Sequence, residues 1–373
     1  MFDFTKQKVN PIGLDIGFDS VRMLQLQSHA GKVSVVAADE VLLDSELIST
    51  DQIRRELTIS AIKDILARGY FNTNQVISSL PSSDLIIKSL RVDSCDEKEI
   101  EKLLQTDIIE RCGLKNETHE IRFITAGSIR HGSETKNEII IFAAEKEALK
   151  NHISMLEEAG IEPVGIEAIP CALYRSLQRS LRRGEDKDKA SVFVDVGQNR
   201  TTVIIGKAGE IIFAKQIDIA SEQINNEIAS KLGIEPEDAL HLRTKLRNSD
   251  EAEDIAAATR HVVIDSMNTV IDALAKEISL CLRYYSVTFR GQRPSRVVFA
   301  GGESYEKTLI NALKRHLEIE IEVTEPLRGF DLSKVEFPGD KRGMLCEWAV
   351  ASGLSMKNIC ADNLEKEGAH ERN

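Results

Sequence analysis

The sequence predicts an α/β protein of two lobes, and three observations lead to that prediction. The chain has 373 residues, more than the ~250–300 at which a single hydrophobic core stops growing. Two strand-turn-strand segments are each centred on an aspartate, and Asp195 lies 180 residues after Asp15. Strand patterns and helical periodicities alternate throughout the sequence. We therefore expect one α/β unit that occurs twice.

The opening segment is antiparallel in character. Residues 11–17 and 21–43 read as strands around a turn, and Gly31 with Lys32 marks the tip of a further hairpin. Residues 49–68 place apolar side chains at helical spacing, and Gly69 closes that helix. A strand at residues 75–81 follows. These elements predict a first α/β subdomain.

Residues 84–169 predict a smaller α+β unit. Its pattern gives a strand at 85–92, a helix at about 96–112, strands at 120–129 and 138–145, a helix at 146–159 and a strand at 162–169. This compact β-α-β-β-α-β order predicts an inserted subdomain. The charged stretch at 179–189 has no apolar face, which is typical of a linker between lobes.

The second half repeats the plan of the first. Residues 191–219 give a strand, an Asp-x-Gly turn, a strand, a glycine-centred hairpin and a third strand. Helices are predicted at 221–234 and 254–289, a buried strand with a glycine turn at 296–304, and a last apolar helix at 344–356. The end of the chain, 364–373, is polar.

Composition excludes several functional classes. A formal net charge of −12 disfavours general nucleic-acid binding, which needs a basic face. The six cysteines form no CxxC pair, so neither a zinc site nor a disulfide framework is predicted. The N-terminus lacks the apolar core of a secretory signal, and no stretch approaches the ~18 apolar residues of a membrane span. We expect a cytoplasmic protein.

Three turns share one design, in which an apolar strand delivers a short loop that contains glycine. They lie at residues 13–17, 194–197 and 299–302. Glycine allows a phosphate or sugar to approach the backbone closely, and an adjacent aspartate can orient water around Mg²⁺. A single Asp-x-Gly turn is weak evidence. The repetition at a fixed offset, followed by the Gly301-Gly302 turn, favours a nucleotide site.

Glu167 is the candidate catalytic residue. It ends a predicted strand just before a helix that begins near Pro170. A carboxylate at that junction can position an attacking water or hold the hydration shell of a metal. The ordinary alternative is a solvated acid that interacts with the dipole of the helix. Spacing alone leaves both interpretations open and favours the ordinary one.

Longer stretches carry a resemblance to a known family. They include GLDIGFDSVRMLQL, EEAGIEPVGIEAIPCALYRSL, VDVGQNRTTVIIGKAGEIIFAKQIDI, EISLCLRYYS, VFAGGES and WAVASGL, in order along nearly the whole chain. The sequence resembles PilM-like type IV pilus assembly proteins and, more distantly, FtsA. This resemblance implies an actin-like two-lobe ATPase fold, with duplicated ribonuclease-H-like domains and an inserted α+β subdomain.

The resemblance also implies site residues, ATP and Mg²⁺. The first phosphate loop would hold Asp15, Gly17, Ser20 and Arg22, and the second Asp195, Gly197 and Thr201. Gly301 and Gly302 would face adenosine, and Glu167 sits at the superfamily's hydrolytic position. Asp15 and Asp195 would hold Mg²⁺ through water. The chain departs from the usual pattern at Phe18-Asp19, at Arg22 in place of lysine, and at the bulky residues 198–200.

The implied domains follow the same resemblance. Residues 1–76, completed by 165–182 and 344–358, would form the first lobe, and 77–164 an inserted peptide-binding subdomain. Residues 183–220 and 294–343 would form the second lobe, with a helical insertion at 221–293 and a polar tail at 359–373.

The implied partner is the cytoplasmic N-terminal peptide of a PilN-like inner-membrane protein, in a groove flanked by strand 85–92 and helix 97–112. A PilO-like protein, pilus motor ATPases and self-association are further expectations. Membrane contact would be indirect, and nucleic acid is not expected. Hydrolysis would be slow at most. Two alternatives stay open, an FtsA-like filament protein and a small-molecule kinase of the same superfamily.

Overall fold

The computed structural model describes residues 9–29, 32–44, 48, 50–106, 109–131, 134–181, 189–247, 254–290, 293–294, 296–338 and 344–359. The chain forms two compact units. The first comprises Met1–Pro81, Ala148–Ser176 and Pro326–Asn373, and the second comprises Ser82–Glu147 and Leu177–Glu325.

The first unit is built on a five-stranded sheet. Its strands are β1 (Ile12–Ile16), β2 (Ser20–His29), β3 (Lys32–Leu42), β4 (Gln75–Ser79) and β8 (Glu162–Glu167). Their order is β3-β2-β1-β4-β8. The first three strands are antiparallel, and β4 and β8 continue the sheet in parallel. Four helices accompany this sheet in the described part of the chain: α1 (Asp51–Ala67), α3 (Lys146–Glu158), α4 (Ile169–Leu177) and α9 (Ala349–Ser355).

Helix α1 confirms the periodicity seen in the sequence. The Thr50 side chain accepts a hydrogen bond from the Ile53 amide at 3.2 Å and so caps the first turn. Gly69 follows the last turn with a φ of +74°, a conformation in which glycine carries no Cβ penalty. Ile62 and Ile65 are fully buried in one cluster with the side chains of β1. The apolar face of α1 therefore belongs to the core of the first unit.

Helix α9 approaches its neighbours through glycine. A Cβ added at Gly13 of β1 would lie 2.1 Å from the Ala351 carbonyl oxygen of α9. A Cβ added at Gly353 of α9 would lie 1.9 Å from the Ala172 carbonyl oxygen of α4. Real Cβ atoms do not reach such distances, so both positions require glycine. The backbones of β1, α9 and α4 are in direct contact.

The second unit contains a separate three-stranded antiparallel sheet in the order β5-β7-β6. Its strands are β5 (Ile86–Asp93), β6 (His119–His131) and β7 (Glu134–Glu145). Helix α2 (Glu97–Leu103) begins with a capping box formed by Asp96 and Glu99. Ile100 of α2 packs with Ile139 and Ile141 of β7. One face of this small sheet therefore has its own core.

Two elements of this region differ from the sequence prediction. The helix expected over residues 96–112 ends at Leu103, and the Asn116 side chain donates a hydrogen bond to the Leu104 carbonyl at 3.0 Å. The strand expected to close the α+β unit pairs instead with β4 in the first unit, with Gln75 opposite Glu162. Parallel pairing between distant segments leaves no local signal in a sequence.

The main sheet of the second unit has the order β11-β10-β9-β12-β13. Its strands are β9 (Ser191–Val196), β10 (Thr201–Lys207), β11 (Glu210–Ile217), β12 (Arg296–Ala300) and β13 (Glu320–Val323). Its helices are α5 (Ser221–Leu232), α6 (Pro236–Arg247), α7 (Ala257–Phe289) and α8 (Lys307–Leu317). Three antiparallel strands are again followed by two parallel ones. The order and directions match those of the first unit.

Some predicted features fall outside the described residues. They are Gly31 at the hairpin tip, residues 182–188 of the charged stretch, and the tail from residue 360 onward. No helix within the described ranges is long and apolar enough to cross a membrane. The boundaries of the inserted subdomain stay a prediction.

Candidate functional site

The first aspartate turn lies between β1 and β2. All five residues of β1 are buried, so the strand is fixed in the core and delivers its carboxyl end to the turn. The Gly17 amide donates a hydrogen bond to the Ser20 carbonyl at 2.9 Å, which closes the turn. Asp15 stands opposite Arg22 in the antiparallel register. The sheet therefore brings together the four residues that were predicted for the first loop.

The surroundings of Asp15 disfavour the charged form of its carboxyl group. Burial raises the pKa of its carboxyl group from 3.8 to about 6, and Asp19 and Glu40 add to the increase, although Arg22 opposes it. Only 8% of the residue is exposed, and no described side chain donates a hydrogen bond to it. A buried carboxylate in this state gains from any cation that reaches it.

Arg22 is already engaged. Its guanidinium forms a 2.6 Å ion pair with Glu40, and its Nε has no hydrogen-bond partner among the described atoms. Burial alone would lower the pKa of Arg22, but the surrounding carboxylates raise it. The Ser20 hydroxyl, which is also buried, donates to Asp19 Oδ1 at 2.9 Å. The Ser20 hydroxyl must leave Asp19 in order to donate to phosphate, whereas the Arg22 Nε has no described partner to give up.

Arg54 is a contact of this turn that the sequence did not reveal. It extends from α1 and donates to the carbonyl oxygens of Gly17 at 2.7 Å and Phe18 at 2.9 Å. Its guanidinium also lies 4.5 Å from the centre of the Phe18 ring, within range of a cation–π contact. Helix α1 therefore fixes the outer side of the turn.

The second aspartate turn lies between β9 and β10. The Gly197 amide donates to the Arg200 carbonyl at 3.1 Å, as in the first turn. The carbonyls of Gly197 and Gln198 accept hydrogen bonds from the first amides of α5, which would otherwise lack partners. The Thr201 hydroxyl is buried and donates to the Ile219 carbonyl at 2.6 Å. Thr201 as a phosphate ligand stays a prediction.

The glycine turn after β12 lies beside Asp195. Ala300 stands opposite Asp195 in the parallel register. Gly301 has a φ of +86°, and a Cβ added to it would lie 2.1 Å from Asp195 Oδ1. A Cβ added at Gly302 would meet no described atom within 4 Å. The second unit thus brings the Asp195 turn and the glycine turn together, and leaves open space at Gly302.

The residues behind the glycine turn carry charges that sequence reasoning missed. Glu303 accepts hydrogen bonds from Arg243 and Arg247 of α6, and Arg247 also binds Glu306. Burial alone would raise the pKa of Glu303, but the two arginines outweigh it and lower the pKa. Each arginine is 56 to 60 positions from the glutamate that it binds, so no local motif marks the contact.

Glu167 lies at the end of β8 in the first unit. Its carboxylate forms a two-point pair with Arg175 of α4, with N–O distances of 2.6 and 2.8 Å. Lys357 Nζ is 3.7 Å away, and Arg175 also donates to the Gly353 carbonyl of α9. The structure therefore shows a paired acid at this position, and a hydrolytic role for Glu167 stays a prediction.

Each unit collects its own part of the predicted site. The first unit holds Asp15, Gly17, Ser20, Arg22 and Glu167, and the second holds Asp195, Gly197, Thr201, Gly301 and Gly302. Across the described ranges, no group of three or more histidine, cysteine or acidic side chains is placed to hold a metal ion.

Two sheets of the same order, each of which ends a strand in an Asp-x-Gly turn, define the class of actin-like proteins. Within it the chain belongs to a particular family, the type IV pilus assembly protein PilM family, whose model matches residues 13–359.

Solved structures agree with the fold. A chain from a PilM–PilN type IV pilus biogenesis complex superposes with a TM-score of 0.77 at 18% identity, covering 94% of this chain and 99% of that one. The ethanolamine utilization protein EutJ of Carboxydothermus hydrogenoformans gives 0.50 at 13% identity, covering 94% of this chain and 93% of that one. MreB 5 of Spiroplasma citri bound to AMPPNP gives 0.50 at 14%, covering 96% and 99%.

Among curated proteins, the cell division protein FtsA of Staphylococcus epidermidis is 20% identical over 244 residues. The match covers 59% of this chain and 51% of FtsA. The chain thus spans about half the length of the curated relatives it matches. These likenesses confirm the predicted actin-like fold and the predicted PilM resemblance.

Proposed function

We propose that this protein is an ATP-binding adaptor of type IV pilus assembly, which docks the N-terminal peptide of a PilN-like inner-membrane protein. Family membership over residues 13–359 carries the proposal, and the likeness to a chain from a PilM–PilN complex supports its partner. The adaptor would act at the cytoplasmic face of the inner membrane. Contacts with a PilO-like protein, motor ATPases or further copies belong to the same proposal.

The nucleotide half of the proposal uses the residues described above. Gly17 and Gly197 would bind phosphate oxygens, and Asp15 and Asp195 would hold the water shell of Mg²⁺. The chemistry of the residues fits such a group, because Asp15 is buried with no donor side chain among the described residues and Gly302 borders open space. A bound Mg²⁺–ATP would supply positive charge near Asp15, and its phosphate chain would lie against the two glycine turns, whose Gly17 and Gly197 amides donate to the Ser20 and Arg200 carbonyls without it.

Thermal unfolding tests this half. We expect Mg²⁺–ATP to raise the melting temperature of the wild type, because a ligand that binds only the folded state stabilises it. Asp195→Ala should remove most of that increase. Lys207→Ala, at an exposed hairpin position, is the matched control and should keep it. If ATP leaves the melting temperatures of the wild type and Asp195→Ala equally unaffected, the nucleotide half of the proposal is wrong.

Slow hydrolysis follows from the pairing of Glu167. A general base must accept a proton, and a carboxylate held by Arg175 on both oxygens is a poor acceptor. We expect a turnover rate well below the ~1–10³ s⁻¹ of typical enzymes. Glu167→Gln should lower the remaining rate and leave ATP affinity within about twofold of the wild type. Phosphate release in single-turnover experiments measures the hydrolysis rate of the wild type and of Glu167→Gln. An unchanged rate in Glu167→Gln would exclude Glu167 as the base.

The docking half of the proposal places the partner peptide along β5. This strand is at the edge of its sheet, and no described strand pairs with its outer side. Lys88 and Ser89 are exposed, whereas Leu85 and Val92 are buried. An extended peptide can add to such an edge through backbone hydrogen bonds, with side chains in flanking pockets. Helix α2 would border the same groove.

Peptide binding tests this half. The double variant Lys88→Glu/Ser89→Glu should lower the affinity for a peptide from the N-terminus of the cognate PilN-like protein by about tenfold or more. Both substitutions change exposed side chains of β5 and leave the core intact. Lys63→Glu, on the exposed face of α1, is the control and should bind as the wild type does. Fluorescence anisotropy gives the dissociation constants. Equal affinities for all three proteins would show that the peptide does not bind along β5.

A further inference from the structure

A buried charged network lies directly behind the glycine turn. We call Arg243, Arg247, Glu303 and Glu306 the arginine–glutamate network. Arg243 is wholly buried, and Glu303 and Glu306 are 8% and 5% exposed. Arginine and glutamate are almost never this deeply buried unless they are paired. The network is therefore a built feature of the second unit.

Its contacts join three helices to the turn. Arg243 donates from Nη2 to Glu303 Oε2 at 2.5 Å and from Nη1 to Asn225 Oδ1 of α5 at 2.7 Å. Arg247 donates to the same Glu303 oxygen at 2.9 Å and to Glu306 Oε2 at 3.0 Å. The other oxygen of Glu306 accepts the Thr308 amide at the start of α8.

The charges balance, with two arginines against two glutamates. Even so, such a network contributes little net stability, because desolvation of the ions offsets most of their attraction. Apolar side chains of similar size would hold α6 against the turn equally well. What the network adds is direction, because a guanidinium fork binds only in defined orientations. Its consequence is to fix Glu303, and with it the backbone that precedes Glu303.

That backbone is the Gly301-Gly302 turn. On one side Gly301 contacts the Asp195 carboxylate, and on another Gly302 borders open space. Glu303 is the next residue, so the arginines that hold its side chain also restrain the backbone of the turn beside Asp195. A ligand in the open space would meet a turn whose position depends on Arg243 and Arg247.

We propose that Arg243 and Arg247 are positioning residues that hold the glycine turn, through Glu303, in the geometry that binds the nucleoside part of a nucleoside triphosphate. This rests on the proposed nucleotide function. Neither arginine touches the ligand. Loss of the fork should therefore loosen contacts to the base and sugar while the chain stays folded.

The test uses 2-aminopurine riboside triphosphate with Mg²⁺, whose fluorescence reports the surroundings of the base. Arg243→Lys keeps the charge but cannot bridge Asn225 and Glu303. We expect Arg243→Lys to lower the affinity for the probe about tenfold, the equivalent of one charged hydrogen bond. The emission of the bound probe should also return toward that of the free probe. Arg247→Lys, at the more accessible end of the network, serves if Arg243→Lys does not fold.

Controls separate positioning from stability. Arg91→Lys makes the same exchange in another guanidinium paired with a buried acid, Glu138, and should bind the probe as the wild type does. Arg243→Met/Glu303→Gln removes both charges, so it should melt at a higher temperature than Arg243→Met without regaining affinity. Wild-type affinity and emission in folded Arg243→Lys or Arg247→Lys would overturn the proposal. A wild type that binds neither ATP nor the probe would instead refute nucleotide binding itself.

Discussion

The turns at Asp15 and Asp195 close equivalent strand pairs, yet their surroundings differ. In each, a glycine amide two residues after the aspartate donates to a carbonyl three residues further on. Asp15 stands opposite the charged Arg22, whereas Asp195 stands opposite Thr202 and beside Gly301. The backbone plan is shared and the side-chain chemistry is not. The first turn is dominated by charge, and the second by close backbone contact.

The strands that lead into the two turns also differ in how they pack. Gly13 lies in β1, and Phe193 occupies the matching position in β9, 180 residues later. Gly13 admits the backbone of α9, whereas Phe193 fills its space with a fully buried ring. The same register position can therefore serve a helix contact in one half and side-chain packing in the other.

The largest loss of stability is expected for a substitution at Gly13, in the first unit. Gly13→Ala places a Cβ 2.1 Å from the Ala351 oxygen and 2.6 Å from the Ser355 nitrogen, and neither backbone atom can move without shifting α9. We expect a loss of roughly 4 kcal/mol or more in the free energy of unfolding, measured by urea denaturation. Gly165→Ala meets only side-chain carbons of Ile77 at 3.8 and 3.9 Å, so it should change stability by less than about 1 kcal/mol. Similar losses in both variants would contradict the close approach of α9.

The second effect compares two neighbouring glycines in the other half. Gly301→Ala combines a positive φ with a 2.1 Å contact to Asp195, and should cost about 3 kcal/mol. Gly302→Ala meets nothing within 4 Å and should change stability by less than about 0.5 kcal/mol. If ATP lies against Gly302, its affinity should nevertheless decrease in Gly302→Ala. Calorimetric titration with ATP measures this, and unchanged affinity would place the ligand elsewhere.

The third effect tests the charge at Asp15. Because its pKa is raised from 3.8 to about 6, the folded protein binds this proton more tightly than the unfolded chain does. The contribution of Asp15 to stability therefore decreases as the pH rises from about 4 to about 6, and is then constant. Asp15→Asn lacks that loss, so it should be about 2–3 kcal/mol more stable than the wild type at pH 7. The difference should nearly vanish at pH 4.

Denaturation curves at several pH values give the difference between the two proteins directly. Titrating groups that do not interact with Asp15, such as the buried His152, contribute equally to both and cancel. If the stability of Asp15→Asn relative to the wild type did not depend on pH, the carboxyl group would be solvated in the folded protein. The gain in stability should be accompanied by weaker Mg²⁺–ATP binding, since the carboxylate is proposed to hold the metal's water.

The smallest effect concerns Thr201. Thr201→Val removes the hydroxyl that donates to the Ile219 carbonyl, and should cost about 1–2 kcal/mol because that partly buried oxygen loses its donor. ATP affinity should stay within about twofold of the wild type if the hydroxyl keeps this partner when ATP binds. Thr201→Ser is the control, since it retains the donor. A large loss of affinity in the valine variant alone would show that Thr201 binds phosphate.

Local patterns predicted much of this fold. Helix α1 was readable because its apolar spacing and its terminal glycine lie within about twenty residues. The two aspartate turns were readable because they repeat. By contrast, the pairing of β4 with β8 joins residues 75 and 162, and no local pattern records which distant strand a parallel strand will choose.

The same limit applies to the site. Asp15, Asp195 and the glycine turn were found because glycine beside a buried strand is a local signal. The pairing of Glu167 with Arg175 was within reach, since the two residues are only eight positions apart, but spacing does not show which way a side chain turns. The arginine–glutamate network joins segments about sixty residues apart, and its members resemble ordinary surface charges in the sequence.

The contact between Gly13 and α9 also bears on the order in which the chain folds during synthesis. β1 emerges from the ribosome first, yet the helix that covers it is made more than three hundred residues later. The segments of the second unit are complete before that helix appears. We expect the first sheet to wait with one side uncovered, so that released chains truncated near residue 330 are cleaved by protease within β1 to β4 but resist cleavage in the second unit. A chaperone that binds exposed apolar strands would find its substrate in that interval.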